Sequence, residues 1–188
     1  MAVFFISDTH FGHRSIIRLA QRPFSSVEEM DAALIERWNE TVAPGDTVYH
    51  LGDFCYRNAR SLADYRSKLN GGIRLVQGNH DTLSDEDRAQ FETISHIEQI
   101  KLDGRELFLC HYPMREWNRC WRGAWHLFGH VHGRLDHAPH GYSLDVGADA
   151  HDFRPWTLEE IASVMDRRDN PFVDGPGSVY AGREHATD

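Results

Sequence analysis

Cysteine is scarce in this chain. Cys55, Cys110 and Cys120 form an odd set without framework spacing, which excludes a fold built on disulfides and predicts free thiols in a reducing compartment. Long apolar runs are missing as well. None approaches the ~20 residues a membrane span requires. The N-terminal run closes at Asp8 after about five residues, too short for a signal peptide. A cytoplasmic protein with no membrane partner is expected. Positive charge is also in deficit, with 20 Lys and Arg against 29 Asp and Glu and a formal net charge of −9. Gripping a long polyanion needs Lys and Arg, so long duplex nucleic acid is a poor partner. No internal repeat and no low-complexity tract is present, which argues against a solenoid.

The chain has 188 residues, 40% hydrophobic and 26% charged, which suits one soluble domain burying roughly 70% of its unfolded surface. Residues 1–166 read as that domain, and 167–188, punctuated by Asp169-Asn170-Pro171 and Gly175-Pro176-Gly177, read as an irregular C-terminal tail. Five apolar runs each end in a polar motif. Val3-Phe4-Phe5-Ile6 leads to Asp8-Thr9-His10, and Val48-Tyr49-His50-Leu51 to Gly52-Asp53. Ile73–Val76 leads to Gly78-Asn79-His80-Asp81, Leu107–Cys110 to His111, and His126–Phe128 to Gly129-His130-Val131-His132. Short apolar runs bounded by Gly and polar residues read as buried strands, and in open α/β sheets ligands bind at the strands' carboxyl edge.

Helical periods lie between the strands, at 14–21, 25–40, 60–69, 84–91 and 157–165, the second with the capping-box spacing Ser26–Glu29. In the second half, 94–102 and 106–110 flank Asp103-Gly104, a hairpin signal, and 142–146 adds a strand. Alternating strands and helices predict an α/β fold with a mixed second sheet packed on the first.

The motifs gather oxygen and imidazole donors, a set suited to divalent transition metals. Asp8-x-His10 and His130-x-His132 place two donors on one turn. The two oxygens of Asp53 allow it to bridge ions about 3.5–4 Å apart, and Asn79 offers a neutral oxygen that leaves its ion a good Lewis acid. Two divalent ions would invert the local charge, so small or locally engaged phosphates become accessible partners.

The order D-x-H, G-D, G-N-H-D, H, G-H-x-H resembles that of the calcineurin-like metallophosphoesterase superfamily, in its small single-domain form. The resemblance runs from Asp8 to His132 and implies a four-layer αββα sandwich with two mixed sheets and a dinuclear metal site at the carboxyl ends of the strands. It implies one ion held by Asp8, His10, Asp53 and His132, and a second by Asp53, Asn79, His111 and His130. The ions would be Mn, Fe, Zn or Ni, with Mn favoured. His80 matches the family's non-ligand histidine, which contacts the phosphoryl oxygen or protonates the leaving group. The implied activity is metal-dependent hydrolysis of a phosphate ester through a metal-bridging hydroxide, with His80 assisting. Asp81 is either a support for a neighbouring ligand or a turn cap.

Departures from the family bear on substrate. The protein Ser/Thr phosphatases resemble G-D-x-x-D-R-G where this chain has Gly52-Asp53-Phe54-Cys55-Tyr56-Arg57-Asn58. Tyr56 replaces that branch's aspartate, which argues against a phosphoprotein phosphatase and towards phosphodiesters or small nucleotides, while Arg57 keeps the phosphate-clamp spacing. His13 is a third donor in the first loop. Between 112 and 125, Arg115, Arg119 and Arg122 interleave with Trp117, Trp121 and Trp125, a pattern that can stack a base and hold phosphate, or pack as core. His13, Arg57, Arg115 and Trp117 are therefore the expected substrate contacts. Cys110 and His50 are expected in the core. Phosphomonoester or nuclease variants of the same chemistry, and a non-catalytic interaction module on the same fold, are the alternatives. A module that has lost catalysis usually loses ligands, whereas here all eight site residues are present. The oligomeric state has no signature in the sequence.

Overall fold

Alternation of side chains along four short strands divides the interior into layers. The computed structural model describes residues 1–56 and 60–172. Its elements are β1 (Val3–Ile6), α1 (Arg14–Leu19), α2 (Val27–Thr41), β2 (Thr47–His50), α3 (Leu62–Arg66), β3 (Gly72–Val76), α4 (Asp85–Arg88), β4 (Thr93–Ser95), β5 (Ile97–Leu102), β6 (Arg105–Cys110), β7 (Trp125–Phe128), β8 (Ser143–Asp145), β9 (Trp156–Thr157) and α5 (Leu158–Met165). The first sheet runs β4-β3-β2-β1-β9 and the second β5-β6-β7-β8. Both are mixed: β9 is antiparallel to β1, and β5 is antiparallel to β6.

Phe4, Ile6, Val48, Ile73 and Leu75 point to one side of the first sheet, where they meet Met30, Leu34 and Trp38 of α2 and Leu62 and Tyr65 of α3. Phe5, Tyr49 and Val76 point to the other side, against Leu107, Leu109, Trp125, Leu127 and Leu144 of the second sheet. Period-two burial on both faces is what strands covered on both sides require. The short helix α5 contributes Ile161 and Met165 to this inter-sheet core and touches β1, β8 and β9, closing the edge shared by the two sheets. The fourth layer is thin. Phe108 and Cys110 on the outer face of the second sheet are covered by Trp117, Cys120 and Ala124, which belong to a loop with one 3-10 turn, Cys120–Arg122.

Several local features differ from expectation. The 94–102 run is split at His96: β4 completes the first sheet and β5 starts the second. At Asp103-Gly104 both φ angles are positive, 46° and 78°, the turn that matches hairpin twist. Ser26 caps α2 by accepting from the Glu29 N–H at 3.1 Å, yet the Glu29 carboxylate reaches Ser25 N at 2.8 Å and not the cap residue. The packed body extends past 166, because the buried Asn170 donates to Cys120 O at 3.0 Å and Phe172 lies against Trp117. The rest of the expected tail lies outside the described residues.

Two buried histidines have no place in the metal cluster. The ring of His50 contacts Thr9 Oγ1 at 2.9 Å and accepts from Gly52 N at 3.2 Å, and burial pulls it down to about 3. His126 donates to Phe108 O at 3.1 Å, and burial pulls it down to about 4. Both folded values lie below the ordinary 6.5, so between those limits the unfolded chain binds more protons and stability falls as pH drops. Each group contributes about 1.4 kcal/mol per pH unit well below its unfolded value. In the metal-stripped protein, the loss of stability from pH 7 to 5.5 is therefore expected to be smaller by about 2 kcal/mol in His50→Gln/His126→Gln than in the wild type, as read by urea titration. An equal pH dependence in the two proteins would contradict the assignment.

Candidate metal centre

The five motif loops meet at the carboxyl ends of β1, β2, β3, β6 and β7. Asp8, His10, Asp53, His130 and His132 all have positive φ, between 50° and 69°. For residues with a Cβ this backbone costs roughly 1–2 kcal/mol each, and it persists where the surroundings over-determine it. The loops approach so closely that a Cβ on Gly52 would sit 2.6 Å from Gly78 N and 2.7 Å from His111 Nδ1.

Two donor groups result: Asp8, His10 and His132, and Asp53, His111 and His130. Backbone amides aim the carboxylates. His130 N donates to Asp8 Oδ2 and His80 N to Asp53 Oδ1, each at 2.8 Å. The second oxygen of each acid is left facing imidazoles. Asp53 Oδ2 lies 3.6 Å from His10 Nε2 and 3.5 Å from His111 Nε2, so it faces both groups. Asn79 Oδ1 lies 3.2 Å from His111 Nε2, on the second group's side.

The residues fit divalent ions. Asp8 Oδ1 and His10 Nε2 are buried without a hydrogen-bond partner, an arrangement that costs about 1–3 kcal/mol per group unless an ion satisfies it. Burial raises the Asp8 carboxyl above its usual range and depresses His10 strongly, so His10 is a neutral imidazole and a ready donor. His111 Nδ1 donates to Leu51 O at 2.7 Å, which turns Nε2 inward.

A second layer holds the donors. The Asp81 carboxylate accepts from Asp53 N, Phe54 N and Gly78 N at 2.8–2.9 Å, so it clamps the β2 and β3 loops together and fixes Asp53. Asp149 Oδ2 meets His132 Nδ1 at 2.7 Å. Asp149 is held in turn by the buried Arg22, whose Nε and Nη2 donate to it at 2.8 Å each. Arg22 also donates to Thr9 O at 3.0 Å and Asp8 O at 2.6 Å. Asp145 accepts from Gly133 N and Gly147 N at 2.8 Å, and burial pushes it up to about 7. Arg22, Asp145 and Asp149 are missed by sequence reasoning: they sit outside every motif, and only the folded chain brings them behind the ligands.

The expected substrate contacts fare differently. His80 is exposed, its ring 5.4 Å from that of His10. His13 is buried, its Nδ1 3.3 Å from His10 Nδ1 and its ring stacked on Tyr56 at 4.0 Å. With His10 Nε2 turned inward, Nδ1 of His10 is the donor of that pair, so His13 supports a ligand directly. Trp117 is a correction. It is 4% exposed in the core, and its indole N–H donates to Ala124 O at 2.8 Å, which leaves it no surface for a ligand. Arg115 lies away from the metal cleft, beside a separate cavity shared with His140 and Arg168. Arg57 falls outside the described residues. The cleft over the metal groups has a volume of about 730 Å³ and is lined by His80, Tyr56, the α1 residues Ile16 and Leu19, and Arg134. The Arg134 guanidinium has no hydrogen-bond or ion-pair partner among the described residues.

The model of the calcineurin-like phosphoesterase superfamily domain matches residues 1–145. The chain belongs to this superfamily. It is 33% identical over 172 residues to the protein MJ1445 of Methanocaldococcus jannaschii, covering 88% of this chain and 92% of that one. To the Gene 66 protein of Mycobacterium phage D29 it is 27% identical over 198 residues, covering 87% and 96%. The crystal structure of AQ665 from Aquifex aeolicus superposes with a TM-score of 0.70 at 25% identity, over 87% of this chain and 98% of that one. The two mixed sheets and the donor cluster at their carboxyl edge are the superfamily's architecture. No helix among the described residues is long and apolar enough to cross a membrane.

Proposed function

We propose that the protein is a metal-dependent phosphoesterase acting on a small phosphate ester, a phosphodiester or nucleotide-like molecule. The single observation that supports this most strongly is Asp53 Oδ2 facing His10 and His111 at 3.6 and 3.5 Å, beside unsatisfied buried donors. Asp8, His10, Asp53 and His132 would hold one ion, and Asp53, Asn79, His111 and His130 the other. Such ions supply Lewis acidity to the phosphoryl group and acidify water. Mn²⁺ is the favoured pair, on donors that are all oxygen and imidazole nitrogen.

The chain's own residues do the rest. Arg134 offsets negative charge on the phosphoryl oxygens at the open side of the cleft. His80, tied through its backbone N–H to the Asp53 carboxylate, presents an imidazole able to give a proton to the leaving oxygen. Water attacks phosphorus and releases one proton to solvent, the P–O bond to the leaving group breaks, the leaving oxygen takes the proton from His80, and His80 regains a proton from solvent. Products are the alcohol and a phosphate keeping the other substituent. Protein stripped with chelator and reloaded with Mn²⁺ is expected to hydrolyse 4-nitrophenyl phosphate esters. His80→Gln should lower kcat by about 10²–10⁴-fold on a dinucleotide, whose alkoxide leaving group needs the proton, with metal content kept near that of the wild type. Failure of every metal to give turnover in folded protein would overturn the reading, and loss of the ions in His80→Gln would refute the role of His80.

A further inference from the structure

Large apolar side chains collect where the metal cluster reaches the surface. Among the described residues, Leu19, Tyr56 and Tyr112 are 62%, 39% and 44% exposed. Exposed apolar groups around a cleft mark a ligand surface. The tyrosines stand at opposite ends of the donor array. Tyr56 stacks on His13, which supports His10 of the first group, and its ring is 5.7 Å from that of His80. Tyr112 packs edge-on against His111 and His130 of the second group, with centroids 4.9 Å apart in each case. Tyr56 with His80 and Tyr112 therefore flank the position between the two donor groups from opposite sides.

We propose that Tyr56 and Tyr112 are specificity-determining residues that take planar groups on the two sides of phosphorus, so the site selects diesters with two planar arms. The departing arm lies at Tyr56, beside the proton donor His80, and the retained arm lies at Tyr112. This rests on the phosphoesterase reading and adds which arm each residue reads. Tyrosine suits the task, since a rigid ring stacks any planar face and every nucleobase has one. The cleft on the Tyr56 side, about 730 Å³, is far larger than one phosphate needs and falls within the range of small-molecule sites; Tyr112 borders the donor array beyond it, against His111 and His130.

The test compares bis(4-nitrophenyl) phosphate with methyl 4-nitrophenyl phosphate on Mn²⁺-loaded protein, a pair that shares the leaving group and differs in the retained arm. One stacking contact gives about a tenfold difference, so KM for the methyl ester should be about tenfold higher. Tyr112→Ala should bring the two KM values together, Tyr112→Phe should restore the difference, and Tyr56→Ala should leave the difference in place. Equal KM values in the wild type, or a difference that survives Tyr112→Ala, would overturn the proposal while the phosphoesterase reading stands. Calorimetric binding of diphenyl and dimethyl phosphate keeps the question separate from turnover. If no ester is hydrolysed, the phosphoesterase reading fails, yet tighter binding of diphenyl phosphate that is lost in Tyr112→Ala still supports the planar-arm assignment. Equal affinities would refute it.

Discussion

Asp53→Asn is expected to empty both ion positions together and to lower kcat/KM by on the order of 10³-fold or more. The substitution keeps the shape and the acceptor for the His80 N–H, bonded at 2.8 Å. It removes the charge from the oxygen that faces His10 and His111 at 3.6 and 3.5 Å, and an amide nitrogen placed there would turn donors toward both ions. Stability without metal should move the other way or not at all, because the Asp53 charge is one of the groups that push the buried Asp8 carboxyl upward. A ligand that bridges two ions and a residue that merely supports the fold differ in this respect. Metal analysis after dialysis and urea unfolding in chelator measure the two quantities separately. Loss of a single ion, or a large loss of metal-free stability, would show that Asp53 is not the shared ligand.

Asp149→Ala should be the most destabilising single change behind the site. The Arg22 guanidinium is wholly buried and gives Asp149 two bonds of 2.8 Å. Removing the acid strands a buried charge, which costs roughly 3–5 kcal/mol. His132 Nδ1 also loses its 2.7 Å partner, and the loss of such a support weakens metal affinity about 10–100-fold. In the folded protein the hydrogen bonds from His132 and Arg22 outweigh burial and hold the Asp149 carboxyl below its usual range. The double variant Arg22→Met/Asp149→Leu should recover part of the stability but none of the metal affinity, because apolar residues of similar volume can replace a buried pair. Chemical denaturation together with competition for Mn²⁺ by a chelator reads both. A single variant within about 0.5 kcal/mol of wild type would show that the pair is not structural.

The legible parts of the chain were those in which one residue type in one place has one use. Strand ends carrying Asp-x-His or Gly-His-x-His announce donors, and six of the seven residues so marked fall into the two donor groups, with Asn79 beside His111 of the second. Short apolar runs bounded by Gly and polar residues announced the strands, and Asp103-Gly104 announced the hairpin. What stayed hidden depends on contacts between distant segments. Arg22 and Asp149 are 127 residues apart, and nothing local distinguishes them from surface charges. His13 reads as a third donor in a loop, but its burial against His10 makes it a support. The Arg/Trp interleave at 115–125 suggests a base-stacking surface, whereas Trp117 fills the gap left where a helix would otherwise cover the second sheet. The split of 94–102 between two sheets was illegible for a related reason, since each half is apolar enough to continue one strand.

Direct counting of bound metal tests the dinuclear centre most simply. Full-length protein stripped with chelator, reloaded with Mn²⁺ and freed of excess by gel filtration can be analysed by mass spectrometry of the metal against protein concentration. Two Mn²⁺ per chain, both lost on Asp53→Asn, is the expected result. A folded wild type that retains one ion or none, with any of Mn²⁺, Fe²⁺, Ni²⁺ or Zn²⁺, would contradict it.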